Sequence, residues 1–167
     1  SLVVKKEELN KALNVIHGEI FGVSKKINIA IFGHGLVGGT LINQILESAA
    51  AIEKRKDIKL NVFAIANSKK LLLNKYGVTS NWKNDIAAKG EAYTIKDIIA
   101  YANEHHLENL IAIDNTASAT FVENYIPLVE SSFDLISSNK VANTLTYGFY
   151  KELRKALAEN QKNYLYE

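Results

Sequence analysis

The feature that most constrains the fold is a regular alternation of short β-branched runs with longer amphipathic stretches, which starts near residue 25. Apolar runs with the length of strands lie at residues 27–32, 60–66, 110–114, 133–137 and 164–166. Strands that alternate with helices pair in parallel through right-handed crossovers, because the chain must return to the same end of the sheet before the next strand begins. The sequence therefore predicts an α/β fold, a doubly wound and mostly parallel sheet with helices on both faces.

The connections between these strands are predicted to be helical at residues 36–48, 94–106, 118–125 and 144–160. Thr94 is placed to cap the second of these helices, and Pro127 is placed to start a new turn after the third. Residues 71–89 have a blurred pattern and are predicted to form short helical pieces.

The two ends of the chain depart from this alternation. Residues 1–26 are predicted to be a connector that holds a strand remnant and an amphipathic helix, and residues 27–167 to be the sheet domain. The chain ends at Glu167, directly after a predicted strand and without the loose polar tail that domains usually have. We therefore expect this domain to belong to a longer protein.

Composition and charge remove several classes of function. The 20 basic and 18 acidic residues are scattered, so no basic patch of the size of a nucleic-acid site stands out. The absence of cysteine excludes disulfides, thiolate zinc sites and cysteine nucleophiles. No apolar run approaches the roughly 20 residues that span a bilayer. We expect a cytoplasmic protein without a nucleic-acid or membrane partner.

A G-x-G-x-x-G element follows the first predicted strand directly and opens the first predicted helix. Gly33 allows the sharp turn, Gly35 removes a side chain where the backbone approaches a pyrophosphate, and Gly38 lets helix and strand pack closely. The free amides of the helix N-terminus then bind the anion. Glycine clusters also form ordinary turns, but this position at the first strand–helix junction favours a Rossmann-type dinucleotide site.

Polar residues at the end of the second strand bear on the choice of cofactor. An NAD-preferring site places a carboxylate here to accept hydrogen bonds from the ribose hydroxyls, whereas this chain has Asn67, Ser68, Lys69 and Lys70. Amide, hydroxyl and ammonium groups can bind a 2′-phosphate, which favours NADP or the use of both cofactors. The alternative is a helix N-cap at Ser68 with two solvated lysines.

Two later loops carry further polar candidates. Thr116 follows the strand at 110–114 and can face the cofactor, although Thr116 or Ser118 can equally cap the next helix. Lys140 follows the next strand, where a cation contacts the cofactor or an anionic substrate or is simply solvated. His34 is predicted to point outward, and no catalytic triad, carboxylate pair or P-loop is present.

Five segments resemble homoserine dehydrogenase in their order and spacing, and they lie at residues 29–39, 66–69, 113–118, 138–144 and 164–167. The similarity is to the dehydrogenase half of the bifunctional aspartokinase–homoserine dehydrogenases. Residues 1–21 resemble the last strand and helix of the regulatory ACT region that precedes it. The resemblance implies NAD(P)-dependent interconversion of L-homoserine and L-aspartate 4-semialdehyde, on the route to threonine and methionine.

The same resemblance assigns roles to residues. It places the pyrophosphate on Gly33, Gly35, Leu36, Val37 and Gly38, the adenosine ribose on Asn67, Ser68 and Lys69, the nicotinamide on Thr116 and Ala117, and a further cofactor contact on Lys140. A second lysine that often follows in the family is replaced here by Val141. Glu167 matches the start of a loop that binds a structural monovalent cation in the family.

The family's catalytic lysine and its carboxylate substrate ligands belong to a later domain, as does its dimer-forming sheet. We therefore expect this chain to bind cofactor without turning over homoserine, and the full-length protein to be a homo-oligomer. One alternative is another NAD(P)-dependent dehydrogenase, such as a relative of aspartate-semialdehyde dehydrogenase, whose chemistry needs a cysteine that this chain lacks. Another is a nucleotide-sensing module in which no chemistry follows binding.

Overall fold

The computed structural model describes residues 25–140 and 145–166, apart from the side chains of residues 36 and 37. The described strands are β1 (Lys25–Phe32), β2 (Ile58–Ala66), β3 (Leu71–Leu73), β4 (Leu110–Asp114), β5 (Phe133–Ser137) and β6 (Tyr164–Tyr166). The described helices are α1 (Leu36–Lys56), α2 (Trp82–Lys89), α3 (Ile95–Glu104), α4 (Tyr125–Glu130) and α5 (Tyr147–Asn160), with a 3-10 turn at Phe121–Asn124.

The strands form a single sheet in the order β3-β2-β1-β4-β5-β6. All neighbours pair in parallel except β2 and β3, which are antiparallel. The chain builds outward from β1 to one edge and then returns to β4 on the other side, so the strand order reverses between β1 and β4. This is the order of Rossmann-type folds, in which ligands bind at the point of reversal. The predicted fold class is confirmed.

Apolar side chains cover both faces of the sheet. In β1, Ile27, Ile29 and Ile31 pack under α1 and α2, whereas Ala30 and Phe32 face the cluster that contains α3, α4 and α5. The period of two along the strand sends alternate residues to opposite faces, and here both sets are buried. Burial of both faces fixes the register, because a slip by one residue would exchange the two sets of side chains.

The largest departure from the predicted elements is at residues 71–89. Leu71–Leu73 is an antiparallel strand rather than part of a helix, and only Trp82–Lys89 is helical. Three consecutive leucines have no alternation that would indicate a strand, and the pairing depends on the tight turn that joins them to β2.

Smaller departures concern the ends of helices. Helix α1 runs to Lys56, well beyond the predicted end, and the helix predicted at 118–125 is a 3-10 turn that leads into α4. Pro127 is the third residue of α4 rather than the first, where its missing N–H still costs no helical hydrogen bond. The cap at Thr94 is confirmed as a capping box with Asp97.

The predicted connector lies almost wholly outside the described residues, and β1 begins two residues earlier than predicted, at Lys25. No helix within 25–140 or 145–166 is long and apolar enough to cross a bilayer.

Candidate functional site

The carboxyl ends of β1, β2 and β4 open onto a cleft of about 870 Å3, at the point where the strand order reverses. This volume lies within the range of small-molecule and cofactor sites. Among the residues proposed from sequence, those that line the cleft come from three separate turns: Gly33, Gly35, Asn67, Ser68, Thr116 and Ala117. The fold therefore brings together residues that lie up to 84 positions apart in the sequence.

The three glycines of the motif differ in what surrounds them. A Cβ on Gly33 would lie 2.9 Å from the backbone of Asn115, and one on Gly38 would lie 1.9 Å from the carbonyl oxygen of Gly33. Gly33 also has a φ of +86°, which L side chains rarely adopt. A Cβ on Gly35, by contrast, would meet no protein atom within 4 Å. Gly33 and Gly38 are thus required by the fold, whereas Gly35 leaves open space beside the cleft.

Helix α1 begins at that open space. Its N-cap is Gly35, which offers no side-chain acceptor, and its first turn carries no acidic residue. The first amides of a helix have no partner within the helix, and the helix dipole places partial positive charge there. The N-terminus of α1 is therefore suited to a phosphate or pyrophosphate group.

The turn after β2 is built around the side chain of Asn67. Its Oδ1 accepts hydrogen bonds from the backbone amides of Lys69, at 2.8 Å, and Lys70, at 2.6 Å. This Asx turn leads into β3, so the predicted N-cap at Ser68 is wrong because no helix follows. Lys70 donates from Nζ to the carbonyl oxygen of Ala87 at 2.8 Å, which directs its ammonium toward α2.

His34 joins the glycine turn to the β2 turn, and the prediction that it points outward is wrong. Its Nε2 lies 2.9 Å from Nδ2 of Asn67, and its ring packs edge-on to Trp82 with centroids 5.6 Å apart. Because Oδ1 of Asn67 already accepts two amides, its Nδ2 must donate and the Nε2 of His34 must accept.

Several residues that line the cleft were not proposed from the sequence, among them Tyr93, Ile95, Asn115 and Phe121. The hydroxyl of Tyr93 donates to the carbonyl oxygen of Asn67 at 2.6 Å, and burial raises the pKa of this phenol. These residues lie on loops and helix starts whose own spacing gives no sign of a site. Only the folded topology brings them to the carboxyl edge of the sheet.

The loop after β4 is organised by the carboxylate of Asp114, which is only 3% exposed. One oxygen, Oδ1, accepts from the amide of Thr116 at 2.8 Å and from its hydroxyl at 2.6 Å. The other, Oδ2, accepts from the hydroxyl of Tyr125 and from Nδ2 of Asn139 at 3.1 Å. Burial, the charge of Asp114 and the hydrogen bond to it raise the pKa of Tyr125 far above its usual range, so this phenol remains a donor.

Asn139 and Ser118 complete this network. The amide of Asn139 also donates to the carbonyl oxygen of Ser118 at 2.9 Å, which ties the loop after β5 to the loop after β4. Ser118 accepts from the amides of Thr120 and Phe121, so its hydroxyl binds the start of the 3-10 turn, although the N-cap residue of that turn is Thr120. The hydroxyl oxygen of Thr116 accepts from Nδ2 of Asn139 at 3.3 Å and, from the turn that follows, a 3.4 Å contact from the amide of Ser118.

The remaining predicted site residues lie outside the cleft or outside the described residues. Lys69 and Lys140 are exposed and do not line the cleft. Leu36 and Val37 contribute their backbone to the first turn of α1. Glu167 is outside the described residues, and within those residues no group of His, Asp or Glu side chains is arranged to hold a metal ion.

Comparison with known proteins identifies the family. A family described as the NAD-binding domain of homoserine dehydrogenase matches residues 33–167. The chain belongs to this homoserine dehydrogenase family. The match covers the glycine turn, both flanking polar turns and every strand from β2 to β6.

Relatives of this homoserine dehydrogenase domain include two bifunctional aspartokinase/homoserine dehydrogenases. The protein of Buchnera aphidicola is 38% identical and that of Haemophilus influenzae 30% identical, each over 100% of this chain. This chain spans 20% of the length of either relative. A solved hyperthermophilic archaeal homoserine dehydrogenase in complex with NADPH shares the fold, with a TM-score of 0.66 and 20% identity over 85% of this chain and 44% of the other.

Proposed function

We propose that the chain binds NAD(P)(H) in the cleft at the carboxyl edge of the sheet. The observation that carries this proposal is the contrast among the motif glycines: a Cβ added to Gly33 or Gly38 would clash with backbone atoms, whereas one added to Gly35 would enter open space at the N-terminus of α1. The fold by itself requires glycine at positions 33 and 38 but gives no reason for glycine at position 35. A pyrophosphate that approaches the backbone of Gly35 supplies that reason.

With the pyrophosphate on Gly33, Gly35, Leu36, Val37 and Gly38, the direction of the cofactor is taken from the arrangement common to Rossmann-type sites. The adenosine ribose then lies toward Asn67 and Ser68 at the end of β2, and the nicotinamide lies on the opposite side of β1, toward Thr116 and Ala117 after β4. Lys140 follows Asn139, which is anchored to the β4 loop, and we propose it as a further cofactor contact from the side of β5, although it does not itself line the cleft.

Fluorescence titration tests this proposal, because Trp82 is the single tryptophan of the chain and packs against His34 in the glycine turn. Bound NADPH should quench Trp82 by energy transfer. The variant Gly35→Ala should weaken NADPH binding roughly tenfold or more, as expected when a charge-assisted hydrogen bond to the pyrophosphate is blocked, without loss of stability. Gly148→Ala is the matched control, since its added Cβ also meets nothing within 4 Å.

We further propose that NADPH is preferred over NADH. No carboxylate occupies the end of β2, and the amide of Asn67 is committed to its own turn and to His34. With Lys70 turned toward α2, Lys69 is the cation that remains available to a 2′-phosphate. The archaeal homoserine dehydrogenase bound to NADPH is consistent with this choice.

Separate titrations with NADPH and NADH test the preference. Lys69→Ala should weaken NADPH binding by about fivefold, the size of an exposed ion pair, and leave NADH binding unchanged. Lys59→Ala, at the other end of β2, should change neither affinity. Tighter binding of NADH than of NADPH to the unsubstituted chain would overturn the preference.

For the whole protein we propose the interconversion of L-homoserine and L-aspartate 4-semialdehyde in a homo-oligomer, since the relatives that span this chain are bifunctional aspartokinase/homoserine dehydrogenases. The nicotinamide supplies the hydride when it is bound. This chain supplies binding and orientation, and its buried polar groups near the nicotinamide are engaged with one another. The chain alone should therefore bind cofactor without consuming NADPH when L-aspartate 4-semialdehyde is added, and measurable turnover would contradict this.

A further inference from the structure

We propose that Asp114 is a positioning residue whose buried carboxylate holds the loop at 115–118 in the shape that receives the nicotinamide half of the cofactor. This inference rests on the proposed function and adds a residue to which the sequence motifs assign no role. The carboxylate divides its two oxygens between different partners. Oδ1 holds the loop itself through Thr116, and Oδ2 attaches that loop to α4 and to the β5 loop through Tyr125 and Asn139.

The chemistry of the surroundings requires a carboxylate. Four groups point at Asp114, and all of them donate: one backbone amide, two hydroxyls and one side-chain amide. Only an ionised carboxylate offers acceptor sites on both oxygens, whereas an asparagine would turn one NH2 group against these donors. An unpaired buried donor is costly, so the loop would move to relieve the conflict.

The same network fixes the direction of the Thr116 side chain. Its hydroxyl donates to Asp114, and its oxygen accepts from Nδ2 of Asn139 at 3.3 Å and from the amide of Ser118 at 3.4 Å. The hydroxyl proton is therefore not available to a cofactor. What the loop presents to the nicotinamide is the backbone of Thr116 and the methyl group of Ala117.

The loop at 115–118 is closely packed, so it cannot move without changing its contacts with β1 and the glycine turn. The amide of Asn115 donates to the carbonyl oxygen of Phe32 at 2.8 Å, and the space above Gly33 is filled by the backbone of Asn115 and Thr116. A shift of the loop would change the nicotinamide side of the cleft, while the β2 turn has its own set of hydrogen bonds around Asn67.

The test compares NADPH with adenosine 2′,5′-bisphosphate, which lacks the nicotinamide half. Asp114→Asn should weaken NADPH binding about tenfold, the loss expected for a hydrogen bond to a charged group, and should change binding of the bisphosphate less than about twofold. Asn61→Asp is the matched control: it is isosteric and buried, it places an acceptor against two acceptors, and it lies outside the cleft. Both affinities should remain near those of the unsubstituted chain in that control.

A second pair of variants keeps the inference open to refutation if Asp114→Asn does not fold. Thr116→Val removes the hydroxyl that binds Asp114 and should weaken NADPH but not the bisphosphate, and Thr116→Ser should restore binding. Equal weakening of both ligands, or of neither, would overturn the role of Asp114 while leaving the dinucleotide site intact. Failure of the unsubstituted chain to bind either ligand, or their counterparts without the 2′-phosphate, NADH and AMP, would overturn the proposed function and this inference together.

Discussion

The two polar turns that flank the glycine turn are held in different ways. After β2, Oδ1 of Asn67 binds the amides two and three residues ahead of it, so the shape of the turn is set locally, and His34 and Tyr93 contact it from elsewhere in the chain. After β4, Asp114 binds Tyr125 and Asn139, which lie 11 and 25 residues away. The geometry of the β2 turn therefore follows from a few neighbouring residues, whereas that of the β4 loop depends on the packing of α4 and β5 against the sheet.

This difference indicates that the two turns have different roles within the proposed site. A turn whose shape is set by neighbouring residues tolerates substitution better than one set by the core, and this suits a position where cofactor preference is set. A loop tied to buried groups in three elements is rigid, which suits a position where a reactive ring must be oriented. Substitutions at the two turns should consequently affect stability and binding to different degrees.

The largest effect on stability is expected in the glycine turn, which lies between the two polar turns. Gly38→Ala would place a Cβ 1.9 Å from the carbonyl oxygen of Gly33, so helix α1 must move away from β1. We expect the free energy of unfolding to fall by about 3 kcal/mol, at the upper end of overpacking effects, in urea denaturation. Gly148→Ala should leave it unchanged or slightly raised, and a loss at Gly38 no larger than at Gly148 would contradict the close packing.

The next largest effect on stability is expected in the buried hydrogen-bond network around Asp114. Tyr125→Phe removes a donor to Asp114 and should lower the free energy of unfolding by about 1–2 kcal/mol at neutral pH. The pKa of Tyr125 is raised in the native state, so above pH about 10 the unfolded chain loses this proton while the native chain keeps it. The stability of the unsubstituted protein should then fall with rising pH, and its advantage over Tyr125→Phe should shrink.

Urea denaturation at a series of pH values from neutral to alkaline measures this change. Burial raises the pKa of Tyr164 to about 12, so this tyrosine adds to the loss of stability at high pH in both proteins. Tyr76→Phe is the control, because Tyr76 is 81% exposed and should show no such trend. If the free energies of unfolding of Tyr125→Phe and the unsubstituted protein differ by the same amount at all pH values, the raised pKa of Tyr125 is contradicted.

The smallest effect on stability is expected at the β2 turn. Asn67→Asp keeps the acceptor for the amides of Lys69 and Lys70, removes the donor to His34 and places a carboxylate beside the adenosine ribose. We expect less than about 1 kcal/mol of destabilisation and a shift of roughly tenfold in the ratio of affinities toward NADH, since the charge repels a 2′-phosphate and binds ribose hydroxyls. Paired titrations measure this ratio, and an unchanged ratio would place the ribose elsewhere.

The features predicted correctly from the sequence are those that depend on residues close together in the chain. The strands β4 and β5 and the glycine turn follow from hydrophobic runs and spacing, and the strand order agrees with the fold class that their alternation predicts. The antiparallel β3 was missed because three leucines carry no periodic signal. The roles of Asp114 and His34 were missed because their partners come from distant parts of the chain, and only the folded sheet places them side by side.

The most direct test of the site is a comparison of amide NMR spectra of the chain with and without NADP+. Backbone amides report contacts without any substitution, and the site is built largely from backbone groups. We expect the largest shifts at Gly35 and the first turn of α1, with further shifts in the loop after β4 and the turn after β2. Shifts confined to other surfaces, or none at saturating NADP+ and NAD+, would contradict a dinucleotide site at the carboxyl edge of this sheet.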